Sequence, residues 1–242
     1  MNSKMNLVID AGNTRLKVGI FLGASLKEKK SFDSSDALKL FLQKNSFNNL
    51  LISSVGMSAD EIASWATVSG QKIILTPSLP LPIKNQYSTP ETLGVDRIAA
   101  VCGALDIFPD RNCLIIDAGT CITYELLDHN ANYWGGAISP GIEMRLKAMN
   151  TFTARLPLVQ IKADADLMGN NTERCLQSGA WNGVIAEVEG IIARYEKKYP
   201  ELVVILCGGS ASLFENRLKP TIFVAPDLVL SGLNRILRHN AL

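Results

Sequence analysis

Two segments of this chain, LVIDAGNTRLK at residues 7–17 and LIIDAGTCITY at 114–124, follow one plan. Each is an apolar run long enough for one buried strand, stopped by Asp-Ala-Gly, then resumed after a small polar residue. Alternation after the turn predicts a second strand, so each segment reads as a tight hairpin with an acid at its mouth. Asp10 and Asp117 stand 107 residues apart, too far for a solenoid repeat. The spacing fits an α/β domain built twice, divided at 1–111 and 112–242, with the two sheets facing across a cleft.

The flanking pattern supports the duplication. In the first half, strands are expected at Leu7–Asp10, Leu16–Phe21, Leu26–Phe32, Leu50–Val55 and Lys72–Leu75. Helices are expected after the Ser34–Asp36 cap, around Ala59–Ala66 and from Gly94 to Phe108. The second half restarts with strands at Cys113–Asp117, Cys121–Leu127 and near Trp134–Ile138, and a helix opened near Pro140. A helix over Thr172–Lys198, a strand at Leu202–Leu206 and a final helix over Asp227–His239 complete it. Between Thr76 and Arg97 lies the most proline-rich stretch (Pro77, Pro80, Pro82, Pro90), which must be loop rather than helix or central strand.

Composition narrows the class. Of 242 residues, 47% are apolar, enough for a sizeable core, and net charge is only +1, with no long basic run. Nucleic acid and anionic membrane are therefore not expected partners. Five cysteines without C-x-x-C spacing and only two histidines exclude zinc patterns and point to reduced thiols. No apolar stretch reaches the length of a membrane span, and the first residues lack a signal-type segment. The expectation is a soluble cytoplasmic protein with a small-molecule site.

In the first turn, Gly12 can take positive φ and leave the backbone open to a phosphate, as Gly119 can in the second. Asn13, Thr14 and Thr120 can donate to phosphate oxygens, and Lys17 can neutralise them. An acid beside such a cradle implies a cation, with Mg²⁺ the usual one. Asp-x-Gly is also an ordinary hairpin turn, but two copies after matched strands favour the phosphate reading. Gly208 and Gly209, between a buried strand and a helix, either cradle a nucleoside or simply turn the chain. No G-x-x-x-x-G-K-[ST] occurs, so a P-loop is excluded. Asp96-Arg97 opens an apolar helix, where negative charge is favoured; from residues alone it reads as an N-terminal acid with a solvated base.

Together, DAGNTRLK, Tyr87 through LGVDR, DAGTCIT, GGAISPG, GNNT…QSG and PDLVLSGL are similar to the type III pantothenate kinase family, within the acetate and sugar kinase, Hsp70 and actin superfamily. The resemblance runs nearly the full length. It implies an α/β fold of two ribonuclease-H-like domains, a homodimer, and transfer of the ATP γ-phosphoryl to pantothenate with Mg²⁺ and a monovalent cation, K⁺ or NH₄⁺. It assigns ATP phosphates to Asp10, Ala11, Gly12, Asn13, Thr14, Arg15, Leu16, Lys17 and Thr120, with Gly208 and Gly209 at the adenosine. Asp10 would face Mg²⁺ through ATP, and Asp117 would ligate K⁺. Asp96 would be the catalytic base, with Tyr87, Gly94, Val95, Asp96, Arg97 and Thr172 around pantothenate. Cys121 and Ser210 depart from the commoner family pattern. Another small-molecule kinase of the superfamily, or a non-catalytic nucleotide-binding regulator, are the alternatives.

Overall fold

The structure, a computed structural model, describes residues 5–12, 15–214, 217–218 and 222–241. Its contacts gather into two compact units. The first comprises Met1–Asp110, Leu127–Trp134 and Asp227–Leu242, the second Arg111–Leu126 and Gly135–Pro226. This grouping differs from a division at 111/112, chiefly because the last helix packs within the first unit.

The first unit begins with the hairpin β1 (Asn6–Ala11) and β2 (Leu16–Leu22), continued by β3 (Ser25–Phe32). Helix α1 (Ser35–Lys44) starts where the Ser34 hydroxyl accepts from the Ala37 amide at 3.3 Å. Then come β4 (Ser46–Phe47), β5 (Leu50–Ser54), α2 (Ala59–Trp65), β6 (Thr67–Val68) and β7 (Lys72–Ile74). The main sheet runs β3-β2-β1-β5-β7, antiparallel across β3, β2 and β1 and parallel from β1 through β7. β4 and β6 form a separate parallel pair. Alternation decides the faces: Leu7, Ile9 and Ala11 join Leu50, Ile52, Leu38, Leu42 and Ile62 in one core cluster. Each fully buried Leu or Ile there contributes about 1.5–3 kcal/mol.

The proline-rich stretch is almost irregular, holding only β8 (Lys84–Asn85) and a 3₁₀ turn at Pro90–Thr92. Helix α3 (Val95–Ile107) follows, buried continuously from Arg97 to Ala104. A helix apolar on every side must be covered on every side.

The second unit repeats the hairpin in β9 (Cys113–Ala118) and β10 (Cys121–Leu127), continued by β11 (Asn132–Pro140). The strand runs to Pro140 and Gly141 caps α4 (Ile142–Thr151), so Pro140 ends the strand instead of opening the helix. Helix α5 (Thr172–Lys198), β12 (Val203–Cys207), the single turn α6 (Ala211–Phe214) and β13 (Ile222–Val224) complete the unit. β12 lies between β9 and β13, parallel to both. Tyr124, Trp181, Val184, Val188, Leu206 and Phe214 anchor its core. The first residues of β11, Asn132 and Tyr133, fall in the first unit and pair with β8.

Helix α7 (Leu228–Asn240) returns to the first unit and packs on α3 and on β1, β2 and β5. Two glycines set the approach of the helices. A Cβ on Gly232 would stand 1.7 Å from the Ala99 carbonyl oxygen, and one on Gly103 would stand 2.3 Å from that of Leu228. Asp106 on α3 receives Arg238 at 2.6 Å and Arg235 at 3.6 Å. Asn234 donates to the Gly23 carbonyl at 2.9 Å, tying α7 to the β2–β3 turn.

Candidate active site

Asp10 lies at the end of β1, opposite Lys17 on β2 and beside Ser53 on β5. Burial pushes its carboxyl up; Lys17 opposes that shift and Asp96 adds to it. The fold therefore sets two acids, distant in sequence, within each other's field, with a lysine countering them. Ala11 and Leu16 turn into the core, leaving only their backbones for a ligand, while Arg15 is exposed. Asn13 and Thr14 lie outside the described residues.

Asp96 sits exposed in the first turn of α3, where its carboxylate accepts from the Arg97 amide at 2.9 Å. Gly94, the cap residue, makes room for it: a Cβ there would be 2.5 Å from the Asp96 Oδ1. Val95 is half-buried beside them. Arg97 is buried, and its guanidinium lies 5.4 Å from the ring centre of Tyr87. Tyr87 stacks in turn on Tyr133 at 6.3 Å and 7°. A surface aromatic in a proline-rich loop is thus fixed on a buried neighbour. Tyr133 gave no signal in the sequence beyond strand alternation.

The second unit assembles its own group. Asp117 is half-buried at the end of β9, and Thr120 is exposed in the turn. Gly208 follows β12 at φ +95, and a Cβ there would meet the Asp117 Oδ1 at 2.3 Å. Only glycine fits that backbone and that approach. The Ser210 amide donates to the Ala118 carbonyl at 2.8 Å, and the Gly141 amide to that of Thr120 at 3.0 Å. Glu187 braces the Gly141 side, accepting from Tyr124 at 2.9 Å, Ser139 at 2.5 Å and Arg145, which also donates to the Pro140 carbonyl at 2.8 Å. Burial raises the Glu187 carboxyl, yet the donors from Ser139, Arg145 and Tyr124 hold it below the usual range. Glu187 is a half-exposed acid beside the apolar stripe of α5, a position that looks like solvated surface in sequence.

One expectation needs correction. Gly12 and Gly119 do not adopt positive φ, and among the described residues an added Cβ would meet nothing closer than 3.5 and 3.6 Å. Among those residues the missing side chain serves only to leave the backbone open. Gly209, before the described turn of helix Ala211–Phe214, is exposed and uncrowded among the described residues. Asn171 caps α5, its side chain accepting from the Arg174 amide at 2.9 Å. Thr172 is exposed at the first helical position; among the described residues it makes no hydrogen bond with the other candidates. Trp134 is 54% exposed and donates its indole N–H to Asp128 at 2.9 Å.

A family model described as type III pantothenate kinase matches residues 6–194. A protein of that name from Cytophaga hutchinsonii is 44% identical over 236 residues, covering 98% of this chain and 100% of its own. Among solved structures, a Baf family protein from Campylobacter jejuni aligns at TM-score 0.63 and 21% identity, over 97% of this chain and 98% of that one. A glucokinase from an Antarctic psychrotroph aligns at 0.53 and 14%, over 98% and 99%. The structural likenesses carry the fold, an α/β architecture of the sugar-kinase and actin-like ATPase class.

Proposed function

This chain belongs to the type III pantothenate kinase family, and from that premise we propose how its residues divide the work. It is a phosphotransferase that moves the γ-phosphoryl of ATP to the primary hydroxyl of pantothenate, the first step toward coenzyme A. Asp96 takes the hydroxyl proton, and Arg97 and Tyr87 hold the vitamin with the Gly94–Val95 backbone and Thr172. Asp10 to Lys17 and Thr120 receive the phosphates, and Gly208 and Gly209 the adenosine. Phosphoryl transfer asks mainly for positioning, charge neutralisation and a carboxylate that accepts the proton.

One observation carries this reading: Asp96 opens α3 with its carboxylate exposed, beside an Arg97 guanidinium that lies 5.4 Å from the Tyr87 ring. The Asp10 carboxyl, raised first by burial, also lies within the field of Asp96. The open backbones at Gly12 and Gly119 support the phosphate reading, since among the described residues an added Cβ would meet nothing closer than 3.5 and 3.6 Å. The Asp10 carboxylate is a hard oxygen donor of the kind that suits Mg²⁺. Bound with ATP, Mg²⁺ would supply phosphate charge neutralisation, with Asp10 facing it. Asp117, a half-buried carboxylate among backbone carbonyls, is the proposed ligand for K⁺ or NH₄⁺.

The proposal extends to a cytoplasmic homodimer. Among the described residues no helix is long and apolar enough to cross a membrane. Phe152, Leu167 and Met168 are each 85% exposed in the second unit, apolar surface that a partner subunit would cover. Sedimentation at micromolar concentration should give a dimer; a monomer contradicts that part.

Pantothenate-dependent ADP release tests the function, with Asp96→Asn as its sharpest variant. The variant should bind ATP as the wild type does and turn over about 10²–10⁴-fold more slowly. Half-retained activity would remove Asp96 from the role. Preference for another alcohol in a substrate panel would favour a different kinase of the superfamily.

A further inference from the structure

We propose that Tyr133 is a positioning residue for the substrate end of the site: its buried ring fixes the plane of Tyr87 and, through that ring, the guanidinium of Arg97. The inference rests on the reading that Tyr87 and Arg97 hold the vitamin.

The arrangement begins in the turn before β11. The Asp128 carboxylate accepts from the amides of Asn130 and Asn132 and from the Trp134 indole, each at 2.9 Å, and from the Asn132 side chain. Ala131 closes the turn at φ +60. So tied, the first residues of β11 can take only one register. Strand alternation then sends Tyr133 inward, fully buried, and Trp134 outward.

Tyr133 next organises the proline-rich segment. Its carbonyl accepts the Gln86 amide at 2.9 Å, one residue before Tyr87, and Ala131 accepts the Lys84 amide at 2.8 Å. The Tyr87 amide is held by the Asn85 side chain at 3.0 Å. These bonds fix the backbone of Tyr87 but leave its ring free to rotate about χ1. The ring is placed by the stack on Tyr133, nearly parallel at 7°, with the Arg97 guanidinium 5.4 Å from its centre. An offset stack biases such a ring several-fold toward one rotamer, and a guanidinium over an aromatic face shares that orientation. Removing the Tyr133 ring while keeping the site filled should therefore loosen Tyr87 and Arg97 together. The carboxylate of Asp96, anchored by its own helix turn, and the phosphate turn at Asp10 should stay in place.

The test compares Tyr133→Leu with Tyr133→Phe in the full-length enzyme, by steady-state kinetics and thermal melting. Tyr133→Leu should raise the KM for pantothenate about 3–10-fold, with kcat and the KM for ATP within about 2-fold of wild type. Tyr133→Phe, which keeps the ring, should restore the low KM. In a Tyr87→Leu background, Tyr133→Leu should add nothing further to the pantothenate KM. An unchanged pantothenate KM in Tyr133→Leu overturns the inference. So does an equal rise in both KM values with a lowered melting temperature, the mark of a merely structural ring. If Tyr133→Leu does not fold, Tyr133→Met, which adapts to irregular space, is read by the same outcomes. A wild-type protein without pantothenate-dependent ADP release would sink the function itself, whereas an active wild type with an unmoved KM in Tyr133→Leu sinks only this role.

Discussion

Replacing Gly232 by alanine tests whether the contact of α7 with α3 holds the helix of the proposed base in place. The new Cβ would lie 1.7 Å from the Ala99 carbonyl oxygen and 2.7 Å from the Gly103 amide nitrogen. Both are backbone atoms, so no side chain can swing away. Real Cβ contacts do not fall below 3.0 Å, which forces the helices apart by about 1.3 Å at this point. Overpacking of this size costs about 1–3 kcal/mol or more, and the higher helix propensity of alanine returns at most about 1 kcal/mol. A net loss of about 2 kcal/mol lowers the melting temperature by about 4–8 °C in a chain of this length. Ala99 is less than one turn from Asp96, so the displacement reaches the proposed base. A misplacement of about 1 Å can cost about 10²-fold in rate, and kcat should fall about 10–100-fold. The control is Gly190→Ala, mid-helix on α5, where an added Cβ meets nothing within 4 Å; it should raise stability by up to about 1 kcal/mol. A Gly232→Ala enzyme that melts and turns over like wild type would refute the argument that backbone contact between these helices sets Asp96.

Two further expectations concern charge. Glu187 has its carboxyl held down by Ser139, Arg145 and Tyr124 against the effect of burial, so its contribution is present above the unfolded carboxyl pKa of about 4.3 and is lost as pH falls through the lower folded value. Glu187→Gln should therefore melt earlier than wild type at neutral pH, by an amount corresponding to about 1–3 kcal/mol, with the difference closing in acid; a pH-independent difference would contradict this. Asp10 is the opposite case, its folded carboxyl raised first by burial, so ionisation destabilises the fold as pH rises. Without nucleotide or metal, Asp10→Asn should melt later than wild type near pH 7 and lose that advantage below about pH 4, while its kinase activity is abolished; an earlier melt at neutral pH would count against a buried, unrelieved charge.

Much of the fold was legible because the hairpins and long helices carry local signals. The runs before Asp10 and Asp117 are buried on both faces, and α3 begins and ends within a residue of its expected bounds. Elements made by distant pairing were not legible. β8 is two residues inside a proline-rich loop and pairs with the start of β11, the Lys84 and Gln86 amides donating to the carbonyls of Ala131 in the preceding turn and Tyr133 in the strand. β13 is three residues whose partner is β12. The apolar face of α7 announces burial without saying against what, so its packing on α3 could not be read from its own residues. The site divides the same way. From residues alone Asp96 reads as an ordinary N-terminal acid, and only the family resemblance singles it out, whereas the contacts of Tyr133 and Glu187 lie with neighbours that only the folded chain supplies.

The discontinuity of the first unit has a consequence for how the protein comes off the ribosome. Residues 95–107 emerge long before 228–240, yet the two helices cover one another at Gly103 and Gly232. In between, the nascent chain carries an α3 whose face toward α7 has no cover yet. The proposed base therefore takes its final setting only once residues 228–240 have been made and have packed on α3.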